Sequence, residues 1–258
     1  MLLPGSAVVG DLDTNRADVV QALGDLYAYP TPVPASGWVR ANMVSTLDGS
    51  ANGPDGRSGD LGGSADRAIF GVLRGLADVI LVGAGTARAE GYHRPAASPD
   101  FAERRAASGQ RAAPALAVVT RSGRLSGADD LLAPDADTIV VTCACADVPS
   151  LRSRFGQRRV IVAGEQDVDP VLATAQLAAR GMPRILLEGG PTLLGRFVAA
   201  ARLDELCLSI SPLLVAGDGP RIAHGDAPAT AGPPLRVRPA HLVECDGSLL
   251  GRWLVRSS

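Results

Sequence analysis

Aromatic residues make up only 3% of this 258-residue chain. A core built on ring packing is therefore excluded, and Val, Leu, Ile and Ala must supply the buried surface, which suits a sheet covered by helices. Strong net charge is also lacking: 25 basic residues against 27 acidic ones leave −2 at neutral pH. Neither nucleic acid nor a membrane surface is then an expected partner, because both call for a basic patch. No apolar run approaches a membrane span. The first ten residues hold no basic stretch followed by an apolar segment, so no secretory signal is expected and a cytoplasmic protein is. Cysteine is sparse: Cys143, Cys145, Cys207 and Cys245. Cys143 and Cys145 stand too close for an ordinary disulfide, and no His or second Cys pair is near them. Buried, reduced thiols and no metal site are the expectation. There is no internal repeat and no coiled-coil pattern.

What is present is a series of short apolar runs that read as buried strands, at 39–45, 79–82, 116–120, 138–142, 160–163, 185–187 and 206–214. Helical patterns lie among them. A first helix covers 15–26, and residues 64–76 put Ile69, Leu73 and Leu76 on one face. Residues 170–180 put Val171, Leu172 and Leu177 inward, and 191–200 opens on a proline with Leu194, Phe197 and Val198 behind it. Alternating strands and helices imply a mostly parallel sheet with helices on both faces. Two last strands, 235–243 and 249–255, flank Cys245-Asp-Gly-Ser248, a hairpin signal, and so add an antiparallel edge. One α/β domain over 1–258 is the simplest organisation. Residues 96–114, with Arg104, Arg105 and Arg111, read as a long surface connection with one helical turn.

Ligands of an open parallel sheet bind at the carboxyl ends of its strands. Late in the chain, Arg184-Ile-Leu-Leu-Glu-Gly-Gly-Pro-Thr192 runs from an apolar strand through an acid and two glycines into a helix. Free N–H groups there would cradle a pyrophosphate; a tight turn with no ligand fits equally well. Val79-Ile-Leu-Val-Gly-Ala-Gly-Thr86 repeats the logic with Gly83 and Gly85. Two such corners suit a dinucleotide. Arg88 and Arg121 are candidates for a 2′-phosphate, or simply solvated charges. Thr46-Leu-Asp-Gly49 ends the first strand and leads into a glycine-rich stretch, 50–63, that is either a mobile lid or an ordinary connection. Asp66, in the first turn of the next helix, satisfies the helix dipole and needs no other role. His93 and His241 are assigned none.

Taken together, Thr46-Leu-Asp-Gly49, Leu73-Arg74, Gly83-Ala-Gly-Thr86 and Glu188-Gly-Gly-Pro-Thr192 resemble, in order and spacing, the reductase domain of the riboflavin-biosynthesis protein RibD. The likeness runs from about Trp38 to the C-terminus. It implies a dihydrofolate-reductase-like three-layer α/β sandwich and an NADPH-dependent reduction of an aminopyrimidinone ribosyl phosphate to its ribityl form. It implies Ala41 and Asn42 beside the nicotinamide, Thr86 and Glu90 by the cofactor, and Gly189, Gly190, Thr192 and Leu193 at the pyrophosphate. Glu188 then faces the substrate, and Arg74 matches an arginine that contacts substrate phosphate. Family members commonly form dimers, so a homodimer is expected.

Two features depart from that pattern. Where RibD-type chains continue with Asp-Asp-Pro and then a Leu, Thr-Val-Arg run, this chain has Glu90-Gly-Tyr-His-Arg-Pro95, with Arg94 out of register. No zinc-deaminase signature is present, so a stand-alone reductase is expected. Secondly, Ser64-Ala-Asp-Arg-Ala-Ile-Phe70 resembles the start of the substrate helix of dihydrofolate reductases, in which an Asp pairs with the pterin and a Phe one turn later packs on it. Asp66 and Phe70 hold that spacing. Dihydrofolate reduction with Asp66 at the pterin ring is therefore the alternative activity. A nucleotide-binding protein without catalysis is a third.

Overall fold

The computed structural model describes residues 7–8, 16–53, 55–125, 137–225 and 234–256. Their strands form one ten-stranded sheet in the order β1-β9-β10-β8-β2-β7-β3-β4-β5-β6. The parallel block is β2 (Trp38–Thr46), β3 (Val79–Gly83), β4 (Ala115–Val119), β5 (Ile139–Thr142), β6 (Val160–Val162), β7 (Arg184–Leu187) and β8 (Glu205–Ser211). A two-residue β1 (Ala7–Val8) and the antiparallel pair β9 (Val237–Cys245) and β10 (Ser248–Val255) complete one side. Asp246 and Gly247 turn that hairpin, both with positive φ (50° and 76°), the geometry that Asp-Gly favours in two-residue loops.

Seven helices lie among the described residues: α1 (Ala17–Leu26), α2 (Gly63–Leu76), α3 (Ala84–Ala89), α4 (Ala102–Ala107), α5 (Val148–Phe155), α6 (Pro170–Ala179) and α7 (Pro191–Ala199). None is long and apolar enough to cross a membrane. Side chains of a strand alternate between faces, and β3 shows the result. Ile80 and Val82 enter a core shared with Ile69, Leu73 and Leu76 of α2, whereas Val79 and Leu81 enter another with Leu177 of α6 and Phe197 of α7. Two cores on one sheet are the three layers the apolar runs lead one to expect.

Several expectations need correction. On α6 the buried residues are Pro170, Ala173, Thr174 and Leu177, while Val171 and Leu172 are exposed. Asp169 caps the helix, accepting from the Val171 and Leu172 amides, and the face spaced i, i+3, i+4, i+7 from Pro170 meets the sheet. Thr174 is tolerated inside because its hydroxyl donates to the Pro170 carbonyl and accepts from Arg202. The strand expected at 206–214 stops at Ser211, before Pro212, and Leu213 and Leu214 are exposed. Cys145 is exposed, although the other three thiols are buried.

The 96–114 connection runs over the surface as expected, but it sends Phe101 and Arg105 inward. A 3-10 turn (Pro99–Phe101) and α4 carry Phe101 into the core beside Gly75, where a Cβ would lie 2.3 Å from the Phe101 ring. Arg105 is buried, not solvated: Nη1 donates to the Gly75 and Ala77 carbonyls at 2.9 and 2.6 Å, and Nε to the Arg111 carbonyl at 2.7 Å. One side chain from a distant segment thereby satisfies carbonyls freed where α2 ends. Arg104 pairs with Asp25, and Arg111 with Asp137.

Where β2 and β8 begin sits a sealed ion cluster. Glu205 accepts from Arg40 Nε (2.6 Å), Trp38 Nε1 (3.1 Å) and Arg252 Nη2 (3.0 Å). Arg252 also reaches the Leu26 and Ala28 carbonyls, and Arg40 lies 4.1 Å over the Tyr29 ring. Burial alone would raise the Glu205 pKa, but Arg40 and Arg252 outweigh it and hold it below the usual carboxylate value.

Candidate active site

β3 and β7 are neighbours and parallel, so their glycine corners leave the same end of the sheet. The corners are joined: the Gly83 amide donates to the Gly189 carbonyl at 2.9 Å. The Gly83 amide is therefore not bare, and only the amides that follow it at the start of α3 could serve a phosphate at that corner. Gly189 has φ +86°, a conformation that favours glycine, and its peptide with Gly190 is cis. A Cβ on Gly190 would fall 2.5 Å from Thr86 Oγ1, whereas nothing lies within 4 Å of one on Gly85. Beyond Gly190, α7 opens with Pro191, and the Thr192 and Leu193 amides have no helical carbonyl four residues back.

Beside these corners is a cavity of about 820 Å3. β2 contributes Asn42, Met43 and Val44; α2 contributes Asp66, Phe70 and Arg74; α3 and its exit contribute Gly85, Thr86 and Glu90; the exit of β7 contributes Glu188 and Gly190. Asp66, Phe70 and Arg74 succeed one another every four residues, which sets them on one face of α2. The segment from Tyr92 to Ala96 and the loop residues Asn52, Gly56, Ser58 and Gly59 close the wall. That loop is fastened: the Ser58 amide and hydroxyl both donate to Glu90 Oε1 at 3.0 Å, and the Ala51 amide donates to the Pro220 carbonyl.

Nine of the sixteen candidate residues thus meet in one cavity: Asn42, Asp66, Phe70, Arg74, Gly85, Thr86, Glu90, Glu188 and Gly190. Ala41, Gly83, Arg88, Arg121, Gly189, Thr192 and Leu193 do not line it. Ala41 is fully buried in the core, and Leu193 nearly so. Arg121 follows β4, and its carbonyl accepts from Cys143.

The strongest constellation in the cavity was only half visible in the sequence. Arg74 grips Glu188 with two parallel hydrogen bonds, Nε to Oε1 and Nη2 to Oε2, each 2.7 Å. The Tyr92 hydroxyl donates to Glu188 Oε2 at 2.7 Å. The guanidinium lies 4.1 Å from the Phe70 ring centroid and 5.3 Å from that of Tyr92. Burial alone would lower the Arg74 pKa; the bonded Glu188 carboxylate reverses this and the net shift is upward. Burial, reinforced by Glu188, pushes the Tyr92 phenol far above its ordinary value, so it remains a neutral donor. Tyr92 was missed. Its signal was its place: a tyrosine, one of three in the chain, inside the segment that departs from the RibD pattern.

Asp66 is the second feature. Its Oδ1 is buried with no hydrogen-bond partner among the described residues. Burial raises its pKa, only partly opposed by the Ser209 hydroxyl. A buried acceptor left unbonded costs about 1–3 kcal/mol, and this one lines the cavity. No group of three or more His, Cys, Asp or Glu able to hold a metal ion occurs among the described residues.

Over 191 residues, 74% of this chain and 87% of the relative, the sequence is 26% identical to the 2,5-diamino-6-ribosylamino-4(3H)-pyrimidinone 5′-phosphate reductase of Archaeoglobus fulgidus. It is 28% identical over 192 residues, 74% of this chain and 46% of the relative, to the riboflavin biosynthesis protein RibD of Mycobacterium tuberculosis. Among solved structures, a pyrimidine reductase-like protein of Corynebacterium diphtheriae superposes with a TM-score of 0.79 at 24% identity, covering 92% of this chain and 99% of that one. The fold is the three-layer α/β sandwich with a mostly parallel sheet expected from the sequence, and it is shared with that protein. The model of the RibD C-terminal domain matches residues 37–250, and the chain belongs to that family.

Proposed function

We propose that this protein is an NADPH-dependent reductase acting on a ribosylaminopyrimidinone 5′-phosphate of the riboflavin pathway. One observation carries the reading: a single cavity at the carboxyl ends of β2, β3 and β7 gathers the acids, the arginine and the glycine corners of the family motifs. The named activity of the archaeal relative, of which this chain covers 87%, points the same way.

The residues fit the cofactor. Gly190 leaves room where a side chain would collide with Thr86, and the first turn of α7 offers free amides for a phosphate. Asn42, Thr86, Gly190, Thr192 and Leu193 would hold NADPH, with Gly83 and Gly189 shaping the corner beneath. When bound, NADPH supplies a hydride. The chain's own residues do the rest. Phe70 and Asn42 give the ring two walls. Glu188, held by Arg74 and Tyr92, presents a fixed carboxylate edge to substrate donors. Arg74 uses two of its N–H groups on Glu188 and keeps others for an anion, and Arg67 and Arg94 line the same cavity. The 50–63 loop, fastened through Glu90, excludes water. We read the chain as a single-domain, homodimeric cytoplasmic enzyme; a monomer mass in solution scattering would refute the dimer.

A second reading rests on Asp66 and Phe70. An unbonded buried carboxylate oxygen one helical turn from an aromatic ring suits the N3 and 2-amino edge of a pterin. Turnover assays following NADPH oxidation separate the readings. Consumption with 2,5-diamino-6-ribosylamino-4(3H)-pyrimidinone 5′-phosphate and none with 7,8-dihydrofolate supports the first. The reverse supports the second. NADPH binding with neither substrate turned over would mean a nucleotide-binding protein without catalysis.

A further inference from the structure

A Cys-Ala-Cys segment at the exit of β5 takes no part in the reaction above. Cys143 is fully buried and Cys145 is exposed. The backbone between them is fixed. The Ala144 and Cys145 amides donate to the Gly164 and Glu165 carbonyls at 2.9 Å, and the Ala146 amide closes a turn on the Cys143 carbonyl at 3.2 Å. This turn directs both side chains to one point, with the Sγ atoms 2.9 Å apart. A disulfide bond is about 2.05 Å long, so small side-chain rotations close the gap. Each thiol also has a carbonyl acceptor: Arg121 for Cys143 at 3.4 Å and Gln166 for Cys145 at 3.3 Å.

We propose that Cys143 and Cys145 form a reversible dithiol–disulfide site that accepts oxidising equivalents from low-molecular-weight disulfides. The division of labour follows from exposure. Cys145, open to solvent, attacks first as its thiolate. The S–S bond of the small disulfide breaks, a mixed disulfide forms on Cys145, and one small thiolate leaves and takes up a proton. Cys143 then loses its proton and attacks the Cys145 sulfur, displacing the second small thiolate. Two protein thiols are oxidised and one external disulfide is reduced to two thiols. Closure withdraws both S–H donors, so the Arg121 carbonyl beyond β4 and the Gln166 carbonyl each lose a partner. The sequence separation of two had argued against such a bridge, but the turn supplies the convergence that spacing alone does not reveal.

The test is thiol counting on the full chain, which needs no substrate. The protein is equilibrated with oxidised glutathione, quenched in acid, denatured and alkylated, then mapped by mass spectrometry. Of the four cysteines, Cys143 and Cys145 are expected to escape alkylation as an intrachain crosslink, while Cys207 and Cys245 alkylate. Dithiothreitol should restore both thiols. Cys143→Ser is expected to retain a glutathione adduct on Cys145, and Cys145→Ser to acquire neither adduct nor bridge. Full alkylation of all four thiols, a bridge between chains, a bridge to Cys207 or Cys245, or an unresolved adduct on wild-type Cys145 would each overturn the proposal.

Discussion

Two arginine–carboxylate constellations flank β2, one around Glu205 of the neighbouring β8 and one around Glu188 just past the neighbouring β7, and they differ in what they leave open. Arg40–Glu205–Arg252 is sealed, with Arg40 and Glu205 side chains 0% exposed and Arg252 13%. Arg74–Glu188–Tyr92 hides its acid, at 1%, but leaves its arginine 28% exposed on a cavity. The same chemical pair thus performs two tasks. In the closed cluster the bonds that are made tie α1, β2, β8 and β10 together, and the charges face the protein interior, with Arg40 Nη1 and Nη2 left without a hydrogen-bond partner among the described residues. In the open one, part of the guanidinium remains available to a ligand. An ion pair alone therefore does not mark a site; its opening onto a cavity does.

The largest effect expected is on stability, in the closed cluster. Glu205→Gln strands two buried guanidinium groups and should lower unfolding free energy by about 3–5 kcal/mol, seen as a lower urea midpoint. Turnover per folded molecule should be unchanged. In the open cluster the balance reverses. Glu188→Gln should cost about 1–2 kcal/mol of stability yet reduce kcat/KM roughly 100-fold, because the fixed carboxylate edge is lost. Equal stability losses for the two variants, with turnover retained in Glu188→Gln, would erase the distinction between the constellations.

Gly190→Ala probes the corner next to the open constellation. Its Cβ meets Thr86 Oγ1 at 2.5 Å, an overpacking of about 1–3 kcal/mol that Thr86 partly relieves by rotating. NADPH affinity by isothermal titration should fall ~10-fold while the substrate KM changes little, given that tenfold corresponds to about 1.4 kcal/mol. Undiminished NADPH affinity would remove Gly190 from the cofactor corner.

These comparisons also explain what the sequence discloses. Strands covered on both faces read as continuous apolar runs, so β3, β4 and β5 lie within a residue or two of where the sequence puts them. Strand–glycine–helix corners are local chemistry and equally legible. The α6 face was misread because apolar residues surround that helix, leaving Val171 and Leu172 no worse as core candidates than Ala173. Arg105 and Tyr92 were illegible for another reason. Their partners lie 28 and 96 residues away, and no periodicity encodes a contact at that distance. Glu188 and Arg74 were each picked out singly, by motif, and their 114-residue pairing emerged only from the fold.

The smallest effect expected concerns Asp66, which belongs to neither constellation. Its folded-state pKa is raised, so the native protein favours the protonated acid more than the unfolded chain does. That contribution is complete below the ordinary Asp value and is lost as pH rises through the folded one. Asn is uncharged at every pH. Asp66→Asn should therefore match the wild type in Tm at acidic pH and exceed it at neutral pH, the gap opening as the carboxyl ionises. A gap independent of pH would mean that the carboxyl does not feel its burial. The same variant sharpens the choice of substrate. With the pyrimidinone phosphate its turnover should change less than tenfold, whereas a pterin reductase that relied on Asp66 would lose turnover severely, and more so as pH rises.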